Sequence, residues 1–293
     1  MAAGRQTGAK GAKILASGLY VVSTPIGNLR DITLRALDVL AGVDRVVAED
    51  TRLAARLLRA HGLRARVERY DEHSASRVRP ALLAALGRGE RLALVSDAGT
   101  PLISDPGYRL VIEAIAQGAA VIPVPGPSAA LAALTVSGLP TDRFLFVGFP
   151  PPRSLARRRA LGDLVRERAS LIFFESGPRL AECLEDMAKV FGPRPAAVAR
   201  ELTKIHETVI RGSLNALAVD PRLASPKGEM VIVVSGGEPS RAAPEEVDAA
   251  LSGALRRLSA AGAAAEVART LGLRRREVYA RALALKTSPG STT

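Results

Sequence analysis

Three short segments hold most of the residues able to do chemistry. The longest, Ser96-Asp-Ala-Gly-Thr-Pro-Leu-Ile-Ser-Asp-Pro-Gly107, follows the apolar run LALVS and packs two Gly, two Pro and two Asp into twelve residues. Gly99 lets a ligand approach the backbone closely, while Pro101 and Pro106 fix the shape of the loop. An ordinary strand-to-helix connection is the alternative, although such connections are usually shorter. In Val124-Pro-Gly-Pro-Ser-Ala-Ala130, Pro127 can start a helix and Ser128 with Ala129 leaves room for a ligand. In Ala48-Glu-Asp-Thr-Arg52 the paired carboxylates of Glu49 and Asp50 can hold a ribose hydroxyl or another substrate group. Capping of the following helix by Asp50 is the other reading.

Absent patterns narrow the chemistry. His61, His73, His206 and the single Cys183 are not spaced as HExxH or CxxC, so no metal site is expected. Neither GxSxG nor GxxxxGK[ST] occurs, and the first strand is not followed by GxGxxG, against those hydrolases, P-loop NTPases and standard dinucleotide sites. One cysteine allows no intramolecular disulfide and fits a reducing compartment. No apolar run reaches the roughly 18 residues of a membrane span, and residues 1–17 read as a flexible tail, so a cytoplasmic protein is expected.

The elements that must position these segments alternate. Strands are expected at Leu19–Ser23, Val43–Ala48, Arg91–Ser96, Ala120–Val124 and Phe144–Phe149. Helices are expected at about Asp31–Leu40, where Gly42 stops the helix, and at Thr51–His61, Tyr108–Gln117 and Ser128–Ser137. This alternation predicts an α/β unit over 18–149. Pro150-Pro-Pro152 breaks the chain, and a second α/β unit over 150–236 is read from strands at Leu171–Phe174, Ala196–Ala199, Glu207–Arg211 and Glu229–Ser235, with a helix from Pro178 to Phe191. Gly236–Pro244 reads as a linker, 245–286 as two or three helices, and 287–293 as a polar tail.

Taken together, the motifs resemble the tetrapyrrole-methylase superfamily, and within it the bacterial 16S ribosomal RNA cytidine 2′-O-methyltransferases. They are LYVVSTPIGNLRDITLRALDVL from Leu19, VVAEDTR ending at Arg52, SDAGTPLISDPGYRL from Ser96 and PVPGPSAALAALTVSGLPTDRFLFVGFPP from Pro123, then FFES from Phe173, RELTKIHET from Arg200 and GEMVIVV from Gly228. Tetrapyrrole enzymes of the superfamily would show a GGDP-type loop where this chain has Ala98-Gly-Thr-Pro101, and AEDTR and KIHET point to the ribosomal RNA branch. The resemblance implies two α/β domains with S-adenosylmethionine folded into the cleft between them, usually in a homodimer. Carried over by matching loops, the cofactor is expected at Ile26, at Ala98, Gly99, Thr100 and Ile103, and at Ser128 and Ala129, with Glu175, Arg200 and Met230 contributed by the second domain.

Methyl transfer to a ribose hydroxyl calls for a proton acceptor or an orienting group, and Glu49, Asp50, Glu175, Glu201 and His206 are the candidates. Glu49 and Asp50 are expected to shape the substrate side, whereas Glu201 and His206 can equally pair with Lys204 or Arg200 as surface ions, and Cys183 fits a helix core position. The charge balance, 41 Lys and Arg against 29 Asp and Glu for a net +12, fits either a nucleic-acid partner or a solvated Arg-rich surface. Six Arg between Arg153 and Arg168, and the C-terminal segment AAAEVARTLGLRRREVYARALAL with Gly272 at a helix-turn-helix bend, favour RNA. Arg52, Arg274, Arg275 and Arg276 are the candidate RNA contacts; a helical pair docking through Leu271, Val278 and Leu283 is the alternative. The expected activity is therefore methylation of a cytidine ribose in the decoding region of 16S ribosomal RNA in the small subunit. A tetrapyrrole or other small-molecule methylase, or a non-catalytic ribosome-binding protein, would compete with that reading.

Overall fold

A computed structural model describes residues 15–224, 226–237, 244–271 and 273–287. Most of the expected N-terminal tail, most of the linker, Gly272 at the expected bend and the C-terminal tail beyond 287 lie outside the described residues.

The first sheet is parallel throughout, in the order β3 (Val67–Arg69), β2 (Arg45–Ala48), β4 (Arg91–Val95), β1 (Gly18–Val22), β5 (Val121–Val124). Its strands β1, β2 and β4 are apolar on both faces, as a parallel sheet covered on both sides requires. Along β1, Leu19 enters one core cluster while Tyr20 and Val22 enter the other; along β4, Leu92 and Leu94 oppose Ala93 and Val95 in the same way. Helices α1 (Leu34–Gly42) and α2 (Thr51–Ala60) cover one face, and α3 (Ala75–Gly87) and α4 (Tyr108–Ala116) the other. The chain leaves adjacent β1 and β4 toward opposite faces, which opens a crevice at their carboxyl ends, the switch point where ligands settle in such sheets.

The second sheet runs β6 (Phe144–Gly148), β7 (Ser170–Ser176), β10 (Glu229–Val234), β8 (Pro195–Arg200), β9 (Thr208–Ser213), antiparallel except for the β6–β7 pair. One face packs α7 (Gly177–Phe191) and α8 (Leu214–Ala218) around Phe173, Leu184, Met187 and Ile232. The other face packs Ile172, Val231 and Val233 against Ala130, Ala133 and Leu134 of α5 (Ala129–Ser137). Gly138 in the left-handed conformation ends α5, and Arg211 of β9 donates to the terminal carbonyls of Val136 and Ser137.

Two corrections follow. Strand β6, expected to close the first unit, is an edge strand of the second sheet, and α5 packs on that sheet as well. The second layer system thus begins before the Pro150–Pro152 break at which the sequence places it. Elements β3, α3, α8 and α6 (Ser154–Gly162) carry no clear sequence signal: β3 is a three-residue charged edge strand, and α3 contains Pro80. Near the N-terminus, α1 ends at Gly42, two residues beyond the expected Leu40. The helix itself starts at Leu34, capped by Thr33 Oγ1, which accepts from Ala36 N at 3.1 Å. In the C-terminal segment α9 (Pro244–Leu255), α10 (Ala260–Leu271) and α11 (Arg275–Thr287) share a core of Leu251, Ala263, Val267, Val278 and Ala282. Val278 is buried there and Leu271 partly so, whereas Leu283 is 43 % exposed.

Candidate active site

Three loops are tied into one rim at the carboxyl ends of β1, β4 and β5. Thr24 N donates to Gly99 O at 2.8 Å and Gly99 N donates back to Thr24 O at 3.1 Å, a bridge between the first and second loops. Thr100 Oγ1 donates to Pro127 O at 3.1 Å and lies 3.3 Å from the donating Ser23 Oγ, which fastens the third loop. At φ +80 Gly99 occupies left-handed space, and a Cβ there would sit 3.2 Å from Ile26 Cγ2. Leu102 and Ser104 hold positive φ angles of 75 and 65 in the same loop. Such backbone costs on the order of 1–3 kcal/mol per residue and concentrates at functional sites.

The rim encloses a cavity of about 410 Å³ with a mainly apolar lining. Ile26, Ala98, Gly99, Thr100 and Ile103 line it from the first two loops, and Ser128 and Ala129 from the third. Glu175 and Met230 close it from the second sheet, so nine of the ten residues assigned to the cofactor from the resemblance share one space. Arg200 is the exception: it stands in register with Met230 on β8, and its Nε donates to Lys227 O at 3.0 Å. Phe149 and Phe174, which sequence reasoning left unassigned, also line the cavity, with ring centroids 5.6 Å apart in an edge arrangement. The signal for Phe149 was present in the GFPP stretch after β6.

Beside this cleft lies a polar cavity of about 970 Å³ lined by Glu49, Asp50 and Arg52. Asp97, Ser104 and Asp105 line both spaces. Asp50 Oδ1 accepts from Arg52 N at 2.8 Å and caps α2, while Arg52 Nη2 lies 2.6 Å from Asp50 Oδ2. These hydrogen bonds hold the Asp50 carboxyl well below the usual carboxylate range. Capping is therefore what this side chain does, and the Arg52 guanidinium is engaged with it. Partial burial raises the Glu49 pKa, with further upward pushes from the negative charges of Asp97, Asp71 and Glu72. Burial pushes Asp105 up to about 6, helped by Glu49 and Asp97 and opposed by a hydrogen bond with Ser96. Asp97 and Asp105 were visible as the two acids of the long loop, but nothing in their spacing distinguished them from turn formers.

On the side of the second sheet, the fully buried Glu175 carboxylate accepts from Ser176 N at 2.9 Å, with Oε2 3.2 Å from Arg179 Nη2. Glu201 pairs with Lys204 at 2.9 Å and accepts from Glu229 N at 3.1 Å, the surface-ion role considered for it, and His206 is exposed. Cys183 is fully buried in the α7 core, and its thiol is pushed up to about 12 by that burial.

The basic residues sort differently in space than in sequence. Arg274, Arg275 and Arg276 are exposed at and just before the start of α11 and make no ion pair among the described residues. Arg257 and Arg281 of the same C-terminal unit pair with Glu266 and Asp248 at 3.0 and 2.7 Å. Arg157, counted with the first basic stretch, is wholly buried, with Nη2 2.7 Å from Asp186 Oδ2. Among the described residues no group of three or more His, Cys, Asp or Glu side chains is placed to hold a metal ion. None of the described helices is long and apolar enough to cross a membrane.

The profile of the tetrapyrrole (corrin/porphyrin) methylases matches residues 18–218, and that of the RsmI C-terminal HTH domain matches residues 241–286. The chain is 50% identical over 281 residues to the ribosomal RNA small subunit methyltransferase I of Mesorhizobium japonicum, covering 95% of this chain and 96% of that protein. It is 49% identical over 278 residues to the protein of the same name from Erythrobacter litoralis, covering 94% and 98%. Among solved structures the methyltransferase CobJ superposes with a TM-score of 0.57 at 20% identity, over 75% of this chain and 94% of that one, a likeness of fold alone. With its two sheets, its loop-rimmed cleft and near-full-length relatives at half identity, this chain belongs to the tetrapyrrole methylase family, in the group of ribosomal RNA small subunit methyltransferase I.

Proposed function

We propose that this chain methylates ribosomal RNA of the small subunit, taking the methyl from S-adenosylmethionine and placing it on the 2′-hydroxyl of a cytidine in the decoding region of 16S RNA. The observation that carries this reading is the continuity of the two cavities: the apolar cleft and the wide polar basin share Asp97, Ser104 and Asp105. A small molecule held in the first can thus meet a large, polar substrate entering the second. The relatives' names supply the ribosomal RNA substrate.

The residues present fit the cofactor. The cleft, at about 410 Å³, falls within the range of small-molecule sites, roughly 300–1,000 Å³. Gly99 leaves open the space that a Cβ would take beside Ile26, and Phe149 and Phe174 offer aromatic faces to a planar base or a cation. When bound, S-adenosylmethionine supplies a methyl group on a sulfonium leaving group. Ile26, the 98–103 loop, Ser128 and Ala129 would hold it, with Glu175 and Met230 below and Arg200 acting behind them through the Lys227 carbonyl. Glu49 borders the substrate basin, and Asp50 orders the start of α2 and the Arg52 guanidinium at its edge. Arg274, Arg275 and Arg276 would grip RNA phosphates. A second copy of the chain would cover the exposed stripe of Tyr108, Ile112 and Ile115 on α4, and the protein would work in the cytoplasm, where ribosomal subunits are assembled.

The test is transfer of tritiated methyl from S-adenosylmethionine to small subunits from a strain lacking this gene, with free 16S RNA in parallel. Alkali-resistant label at one cytidine of the decoding region is the expected result. Cofactor binding without label in any RNA would refute the reading, in favour of a small-molecule methylase or a binding protein without turnover.

A further inference from the structure

A third cavity, of about 430 Å³, opens beside the cofactor cleft, with Ile26 and Ala98 lining both spaces. Leu29, from the turn after β1, and Leu53 and Leu57 of α2 give it apolar walls, while Ser96 and Glu229 give it polar atoms. Arg56 of α2 lines it as well, is exposed, and makes no ion pair among the described residues. Asp97 lines this cavity, the cleft and the substrate basin, so the three spaces meet at one residue.

Lys204 joins the lining from the connection between β8 and β9, and that connection is braced. Within it Glu201 and Thr203 take positive φ angles of 48 and 67, and Thr203 N donates to Glu207 Oε2 at 2.6 Å. Lys204 Nζ lies 2.9 Å from Glu201 Oε1 and 3.0 Å from Glu229 Oε2. Asn28 N donates to Thr203 Oγ1 at 3.1 Å, which ties the connection to the turn that carries Leu29. Gly27 has no room for a side chain, because a Cβ there would stand 2.5 Å from Lys204 Cγ. Held on this brace, Ile205 is 96 % exposed, more than any other large hydrophobic among the described residues. A single exposed apolar side chain is ordinary on a surface. One carried on strained, cross-tied backbone beside an apolar cavity is placed to be covered by whatever binds there.

These features fit one occupant, a base of single-stranded RNA. A base is apolar on its faces and polar along its edge, which suits aliphatic walls with Ser96 and Glu229 among them, and its phosphate suits the unpaired Arg56. Apolar wedges inserted between bases keep them apart, and Ile205 has the exposure for that role. The junction at Asp97 joins the cavity to the basin, so its occupant lies close to the target along the same strand. Resting on the RNA-methylation reading, we propose that this cavity takes the unstacked base of a nucleotide neighbouring the methylated cytidine, with Ile205 wedged where that base leaves the stack.

The test uses the full chain and small subunits from a strain lacking this gene, with variants Leu53→Glu and Ile205→Ala. Val219→Ala is the control, since Val219 is 80 % exposed at the end of α8, on the far face of the second sheet. Single-turnover methyl transfer against subunit concentration gives the half-saturating concentration, calorimetry gives cofactor affinity, and chemical probing of the bound subunit reports which bases are covered. Expected is a rise of about 5- to 100-fold in half-saturating concentration for both variants, from the loss of one stacked base, with cofactor affinity within about threefold of wild type. A base beside the methylated cytidine should be protected by wild type and regain reactivity with Leu53→Glu, and Val219→Ala should match wild type throughout. Ile205 is too exposed for its truncation to unfold the chain, so a loss there reports on binding. Half-saturation within about twofold of wild type in either variant, or an equal loss in Val219→Ala, would overturn the proposal. Weaker subunit binding with no base whose reactivity follows Leu53 would also overturn it, placing a ribosomal protein on this surface instead. Wild type that protects the base yet labels no RNA would count against methyl transfer and leave the base pocket standing, whereas labelling with a footprint indifferent to Leu53 would do the reverse.

Discussion

Arg157→Met separates what the sequence implies about the first basic stretch from what the fold does with it. The guanidinium is fully buried, with Nη2 2.7 Å and Nε 2.8 Å from Asp186 Oδ2, and Nη1 donates to Pro152 O at 3.2 Å. Asp186 is itself only 3% exposed and also accepts from Ser154 Oγ at 3.0 Å. The network thus fastens α6 and the Pro150–Pro152 segment to α7. Removing Arg157 leaves the buried Asp186 carboxylate with only the more distant Arg158 Nε, 3.7 Å away, a loss of up to about 3–5 kcal/mol, and at about 2–4 °C per kcal/mol the midpoint should fall by up to about 6–20 °C. Replacing both partners by apolar residues, Arg157→Met with Asp186→Leu, should recover much of that loss, because a buried pair adds little beyond well-packed apolar side chains. Calorimetric melting of the two single variants and the double variant measures this. Near-wild-type melting of Arg157→Met, combined with weakened and less salt-dependent RNA binding, would defeat this account and return Arg157 to the RNA surface.

Gly99→Val forces a β-branched side chain into φ +80 against Ile26 and should weaken cofactor binding at least tenfold by calorimetry, while the two-sheet fold persists by circular dichroism. Converting Arg274, Arg275 and Arg276 to Gln should lower RNA affinity uniformly across sequences and flatten the log affinity versus log salt slope by up to about 2–3, at about 0.7–0.9 for each phosphate no longer neutralised. Cofactor affinity should be unaffected in that variant. Asp105 binds its proton more tightly folded than unfolded, so its own contribution to stability should rise as pH falls from above 6 toward 4; the difference in melting between Asp105→Asn and wild type should follow that window, and the variant should melt no lower than wild type at pH 7.5. Cys183, buried and pushed up to about 12, should resist thiol reagents in the native protein at pH 8 and react fully once unfolded.

The alternation that makes the first sheet is written in the chain itself. A strand apolar on both faces, such as Leu92–Val95, needs cover on both faces, which helices on each side of a sheet supply, and loops dense in Gly, Pro and Asp follow such strands at the end where ligands bind. The motifs also identify the family, because runs such as SDAGTPLISDPGYRL carry backbone requirements at Gly99 and Gly107 that few other residues meet. The rest emerges only in three dimensions. Which sheet β6 and α5 join depends on pairing between segments far apart in the chain, and their own apolar patterns are the same in either place. Which arginines are left without a partner depends on whether an acid lies within reach, as Asp186 does for the buried Arg157 and Asp248 for the exposed Arg281, while Arg274–Arg276 find none among the described residues. The roles of Asp50 and Asp105 diverge for the same reason. Both are acids in loops at strand ends, but one meets Arg52 and the amide it caps, while the other is left between two cavities with other acids for company, and desolvation and like charge set its chemistry.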